Sequence, residues 1–117
     1  MRVVIAEDER LIALGLKTIL RRLGHEVCAM YPSAEQCIDQ APQFEPDLVF
    51  MDIRMEGQMD GIEAASVLRE KYDIPVVFTT AYDDPETRSR AAQVHPIAFL
   101  RKPIGADCIA STLSTIV

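Results

Sequence analysis

The chain of 117 residues contains no apolar run near the roughly 18 residues that a membrane-spanning helix requires. A secretory leader is also missing from the expectations. The apolar start Met1-Arg2-Val3-Val4-Ile5 runs straight into Glu7-Asp8-Glu9-Arg10, which the apolar stretch of a signal peptide does not tolerate. Excess positive charge is absent: the formal net charge is −6, and such a chain repels nucleic acid and anionic lipid. The basic pairs Arg21-Arg22, Arg88/Arg90 and Arg101-Lys102 are too small for a DNA footprint and read as paired, solvated charges. No direct nucleic-acid binding and no membrane partner are therefore expected, and the expected location is the cytoplasm. Cysteine is sparse. Cys28, Cys37 and Cys108 are odd in number, fit no zinc or CxxC spacing, and read as buried structural thiols among apolar neighbours. Internal repeats, low-complexity stretches and linkers are lacking too. What remains is a chain that is 49 % apolar, enough for one domain over residues 1–117, with roughly two-thirds of its surface buried on folding.

Two periodicities alternate along that chain. Val3 to Ala6 reads as a first strand. Residues 9–23 then follow helical spacing, with Ile12, Leu16, Ile19, Leu20 and Leu23 on one face and Gly24 as the stop. Val27 to Tyr31 reads as a second strand. Ser33 and Gln36 form a capping box for a second helix with Ala34, Cys37, Ile38 and Ala41 inward. Leu48 to Met51 is wholly apolar, as a parallel strand covered on both faces should be. Asp60 and Glu63 form another capping box, opening a third helix with Ile62, Ala65 and Leu68 inward. Pro75 precedes a fourth strand, Val76 to Thr79. Asp84 caps a fourth helix (about 85–93) with Pro85 at its first position, and that helix is mostly polar. Ile97 to Leu100 is a fifth strand, and Ala106, Ile109, Leu113 and Ile116 mark a fifth helix. Five βα units imply an α/β, doubly wound, five-stranded parallel sheet with helices on both faces, most simply in the flavodoxin-like order 2-1-3-4-5.

In such sheets ligands bind beyond the carboxyl ends of the strands, where the strand order reverses. Glu7 and Asp8 follow the first strand, Asp52 the third, Thr80 and the small Ala81 the fourth, and Lys102-Pro103 the fifth. Singly, each has a bland explanation. Asp8 suits a helix cap, Asp52 an ordinary loop, Thr80 a strand end and Lys102 the surface. Together they converge. Carboxylates on adjacent strands repel unless a hard cation relieves them, and Mg2+ favours one or two carboxylates, waters and a phosphate oxygen. An Asp can accept a phosphoryl group covalently, a Lys can supply a point charge to its oxygens, and a Thr hydroxyl can donate to one of them.

At these residues the sequence resembles a response-regulator receiver domain of two-component signalling. The marks are Val4-Ile5-Ala6-Glu7-Asp8-Glu9, Met51-Asp52-Ile53-Arg54-Met55, Met59-Asp60-Gly61-Ile62-Glu63-Ala64-Ala65, Thr79-Thr80-Ala81-Tyr82 and Phe99-Leu100-Arg101-Lys102-Pro103, and they span essentially the whole chain. The resemblance implies that Asp52 is the phosphoacceptor, loaded from a phosphohistidine on a sensor histidine kinase or histidine phosphotransfer protein. It implies that Asp8, Asp52 and the backbone carbonyl of Arg54 bind Mg2+, with Glu7 reaching the ion through water. Thr80 and Lys102 would contact the phosphoryl group, Phe99 would change rotamer as Thr80 moves, and Lys102-Pro103 would be cis. The chain departs from the commonest pattern in Glu7 where Asp is frequent, and in Phe99 where Tyr is frequent. The segment Met55-Glu56-Gly57-Gln58-Met59 is one residue longer than usual, with Glu56 replacing a common Pro.

Arg54 and Tyr82, two residues beyond Asp52 and Thr80, are expected to flank the mouth of the site and to affect how fast the phosphoryl group is lost to water. The signal would leave through the fourth helix, fifth strand and fifth helix, a face read by a partner or paired with a second copy as a homodimer. Nothing resembling an output domain follows before Val117, so a stand-alone receiver and a piece of a longer regulator both fit. Turnover of external substrates is not expected. Three rivals fit less well. A flavin domain needs a Ser-, Thr- or Gly-rich first loop, where this chain has Glu7-Asp8-Glu9. An aspartyl-phosphate hydrolase usually has a second Asp where this chain has Arg54. A receiver-like protein-binding module that is never phosphorylated usually lacks a site residue.

Overall fold

The computed structural model describes residues 1–55 and 57–116; Glu56 and Val117, both named above, lie outside the described residues. The strands are β1 (Arg2–Ala6), β2 (Glu26–Tyr31), β3 (Leu48–Asp52), β4 (Val76–Thr80) and β5 (Ala98–Arg101). Between and after them run α1 (Arg10–Arg22), α2 (Ala34–Gln40), α3 (Gly61–Tyr72), α4 (Pro85–Ala92) and α5 (Ala106–Ser114), with a 3₁₀ turn at Ala41–Phe44. The sheet is parallel throughout, in the order β2-β1-β3-β4-β5. This is the predicted flavodoxin-like architecture.

The period of two along each strand divides the core. Val4, Val49, Met51, Val76 and Phe78 face α2, α3 and α4, where they meet Cys37, Ile62, Ala65, Leu68 and Ala91. Val3, Ile5, Leu48, Phe50 and Val77 face α1 and α5, where they meet Ala13, Leu16, Leu20, Ile109 and Leu113. Every residue of β3 and β4 is buried, so the two central strands are apolar on both faces until they reach Asp52 and the threonines at their carboxyl ends.

Caps fix where the helices begin. Asp60 accepts from the Glu63 N–H at 2.9 Å, and Glu63 reaches back to the Asp60 N–H at 3.3 Å, completing the predicted box. Ser33 Oγ accepts from the Gln36 N–H, which is its half of the other box. Asp84 accepts from Thr87 in front of Pro85, as predicted. α1 ends at Gly24, whose φ of 92° suits glycine. The His25 N–H returns to the Leu20 carbonyl, and that of Gly24 to the Arg21 carbonyl, closing a Schellman motif. Lys102-Pro103 is cis.

Some inward assignments need correction. α1 packs through Ala13, Leu16 and Leu20, while Ile12 and Leu23 are 37 % and 39 % exposed. The buried stripe is narrower than the apolar pattern because Ala13, too small to weigh in that pattern, makes the close contact. Ala106 is exposed in the first turn of α5, and Ile116 packs half-buried beyond the helix end. Among the thiols Cys37 alone is fully buried; Cys28 is half-buried and Cys108 exposed.

Candidate functional site

Register brings the predicted residues together. Ala6 lies opposite Met51, so Glu7 and Asp8 emerge beside Asp52. Asp52 pairs with Thr79, and Thr80 with Arg101, which sets Thr80 and Lys102 at the next two strand ends. The ladders extend one step further, with the Glu7 N–H on the Tyr31 carbonyl at 2.9 Å and the Lys102 N–H on the Thr80 carbonyl at 2.8 Å. The backbones at the site are thus held by the sheet itself.

At its centre Lys102 Nζ donates to Asp52 Oδ2 at 3.1 Å and to Glu7 Oε1. Both carboxylates are buried, at 4 % and 6 % exposure. The second Glu7 oxygen accepts from the Glu9 N–H at 3.1 Å. Burial pushes the Glu7 carboxyl up to about 7; the Lys102 and Glu9 hydrogen bonds oppose that rise and Asp52 adds to it. For Lys102 burial acts downward, but the bonds and charges of Glu7 and Asp52 outweigh it, and the ammonium is held above its usual range.

Asp8 completes an acidic trio at the more open edge. One oxygen from each of Glu7, Asp8 and Asp52 falls within 4.8 Å of the others. An all-oxygen, carboxylate-rich set of this size suits a hard divalent cation and is wrong for a thiophilic one. Asp8 does not act as the cap that was its bland alternative, since the residue at the start of α1 is Glu9.

Thr80 is fully buried, and its Oγ1 accepts from the Tyr82 N–H at 3.0 Å, a local turn bond. Phe99 packs edge-to-face on Phe78, with centroids 6.5 Å apart, and the Arg88 guanidinium covers it at 4.6 Å. Arg54 lies over the Tyr82 ring at 3.9 Å, so these two side chains meet. Beside Lys102, an apolar cleft of about 440 Å3 opens between α1 and the β5–α5 connection, and it is here that Ile12 is left partly uncovered.

Gly61 and Arg88 were not foreseen as part of this neighbourhood. A Cβ on Gly61 would lie 2.1 Å from the Asp52 carbonyl oxygen, and the Gly61 N–H donates to the Ile53 carbonyl at 2.8 Å. The glycine lets α3 start against the backbone of Asp52. Its place directly after a capping Asp was the available signal.

The sequence pattern of the response regulator receiver domain matches residues 3–114. The chain belongs to this family. Among its relatives, the transcriptional regulatory protein PdtaR of Mycobacterium tuberculosis is 38 % identical over 102 residues, covering 87 % of this chain and 49 % of that protein. An uncharacterized response regulatory protein of Vibrio cholerae, VC_A0850, is 39 % identical over 111 residues, covering 92 % of this chain and 41 % of that one. The receiver domain thus spans about half the length, or less, of these curated relatives. The crystal structure of the signal receiver domain of a modulated diguanylate cyclase from Desulfovibrio desulfuricans G20 superposes with a TM-score of 0.92 at 35 % identity, covering 98 % of this chain and 91 % of that one. Membership places the domain in two-component signalling. Among the described residues no helix is long and apolar enough to cross a membrane.

Proposed function

We propose that this receiver is a phosphorylation-dependent switch whose acceptor is Asp52. The observation that carries the reading is the contact of Asp52 Oδ2 with Lys102 Nζ, beside a trio of acidic groups at the carboxyl ends of β1 and β3. The donor is a phosphohistidine on a sensor histidine kinase or a histidine phosphotransfer protein. An Asp52 carboxylate oxygen attacks phosphorus, the P–N bond breaks, and the histidine nitrogen leaves with the bonding pair and takes up a proton. Lys102 places positive charge on the transferring oxygens, and the Thr80 hydroxyl turns from its local bond to donate to one of them. Asp8, Asp52 and the backbone carbonyl of Arg54 would hold Mg2+, with Glu7 reaching it through water. Bound there, the ion supplies charge neutralisation on the phosphoryl oxygens.

Movement of Thr80 frees space toward Phe99 on the neighbouring strand, and the change is read at the face of α4, β5 and α5, by a partner protein or by a second copy of the domain. β5 is the half-buried edge strand of that face. The domain accepts one phosphoryl group and later loses it to water; no external substrate is turned over.

Intact mass after incubation with Mg2+ and acetyl phosphate tests the acceptor. Wild type should gain one phosphoryl group and Asp52→Asn none. Gain by both would place the acceptor elsewhere. Failure of wild type with acetyl phosphate and with a phosphohistidine donor alike would favour a receiver-like binding module that works unphosphorylated.

A further inference from the structure

α4 sits on the domain with little apolar anchoring. Its buried residues are Thr87 and Ala91, neither of which brings much apolar area. α3, by comparison, buries Ile62, Ala64, Ala65 and Leu68. What surrounds α4 is a set of arginine contacts. Arg90 meets Asp60 at 2.8 Å, and Asp60 is the cap of α3. Arg88 bonds Asp83 at 2.8 Å while lying over Phe99 of β5. Arg54 reaches Asp84, the cap of α4 itself, at 3.8 Å. Two of the three ties are anchored on the connection that follows Asp52, at Arg54 and at Asp60.

We propose that Arg88 and Arg90 are the positioning residues of α4, which is held in place by charge and cation–π contacts instead of by a core-facing apolar stripe. Each exposed ion pair contributes little, because water screens the attraction and holding two long side chains costs entropy. Here the competing apolar contribution is small, so the ties decide whether the helix is docked. It follows that α4 loosens selectively when charge is screened or when its anchors on the Asp52 connection move. The inference stands on these contacts and does not depend on phosphorylation of Asp52, so its test needs no phosphoryl donor.

Hydrogen exchange read by mass spectrometry on the whole domain provides that test. Raising sodium chloride from about 0.1 M to about 1 M shortens the screening length from about 10 Å to about 3 Å. The amides of α4 should then exchange roughly fivefold faster, while those of α3 and α5 serve as internal controls and change little. At low salt Arg90→Gln and Arg88→Gln should each reproduce the effect, and Arg90→Lys, which keeps the charge, should restore most of the protection. An α4 whose exchange ignores salt in the wild type would overturn the proposal. So would equal acceleration of α3, α4 and α5, which would mark a loss of global stability, or an Arg90→Lys variant that behaves like Arg90→Gln.

Discussion

The ammonium of Lys102 stands 3.1 Å from Asp52 Oδ2 and donates at the same time to Glu7, so one cation, itself mostly buried, compensates two buried carboxylates. Removing it leaves Asp52 without its cation and Glu7 with only the Glu9 N–H. Lys102→Gln is therefore expected to destabilise the metal-free domain by about 3 kcal/mol, the lower end for breaking a buried pair. The same substitution should slow phosphoryl uptake by Asp52. Urea midpoints and the time course of intact mass check the two effects separately. Unchanged stability would mean that the two carboxylates are relieved without the lysine, by proton uptake or by water.

A divalent cation held by the acidic trio would act on the same repulsion from the open side. With Glu7, Asp8 and Asp52 within 4.8 Å of one another, Mg2+ should raise stability by about 1.4 kcal/mol at tenfold excess over its dissociation constant. Asp8→Asn removes one charged donor and should erase most of the shift, and chelation with EDTA should reverse it in the wild type. The readout is the thermal midpoint with and without the ion. Equal shifts in wild type and Asp8→Asn would place the metal elsewhere.

Two glycines inside helices should respond in opposite ways. A Cβ on Gly61 would meet the Asp52 carbonyl oxygen at 2.1 Å, whereas one on Gly15, in mid-α1, meets nothing within 4 Å. Gly61→Ala is expected to cost about 1–3 kcal/mol through overpacking and, by shifting the backbone of Asp52, the proposed acceptor, to slow phosphoryl uptake by up to about a hundredfold. Gly15→Ala should stabilise the helix by about 0.5–1 kcal/mol and leave uptake alone. Urea unfolding and mass kinetics on the two variants decide the matter.

These contrasts also mark where sequence stops informing. Asp52, Asp8 and Lys102 stand out because each interrupts or follows an apolar strand, and sheet order then brings them together. Asp60 and Asp84 were legible as caps because capping is local. Strand ends moved by a residue where backbone pairing alone decides, as for Arg101, which completes β5 opposite Thr80. The stack of Arg88 on Phe99 and the tie of Arg90 to Asp60 join segments 11 and 30 residues apart on different elements, and no local pattern encodes them. The direct bond between Glu7 and Lys102 likewise depends on how β1 and β5 flank the central strands.

Arg54 over Tyr82 joins the connections after β3 and β4, and the proposal gives this pair a covering role beside Asp52. A cation–π contact at an exposed position is worth about 0.5–1 kcal/mol, so its loss should change the rate at which water reaches the phosphoryl group by about two- to fivefold. Arg54→Ala and Tyr82→Ala should each shorten the lifetime of phosphorylated Asp52 by that factor. The double variant should add little, since either change breaks the same contact. Half-lives from intact mass after removal of donor supply the check; unaltered half-lives in both single variants would rule out a covering role.

Cys37 offers a pH test of the core between α2 and the sheet. Burial pushes its thiol up to about 12, from an ordinary value near 9. The unfolded chain releases this proton near pH 9 and the folded chain does not. Above that pH the folded state binds more protons, and stability falls as pH rises. The contribution is fully present below about pH 9 and is lost toward pH 12, by up to about 1.4 kcal/mol per pH unit. Cys37→Ala should lower stability at pH 8 by leaving a small void, yet flatten the decline between about pH 9 and 10.5. Comparing the two slopes by urea unfolding isolates the thiol from the other groups that titrate there. In the native wild type at pH 8, maleimide should label the exposed Cys108 rapidly and reach Cys37 only as the domain opens. Rapid labelling of Cys37 in the folded protein would show that α2 does not seal this side of the sheet.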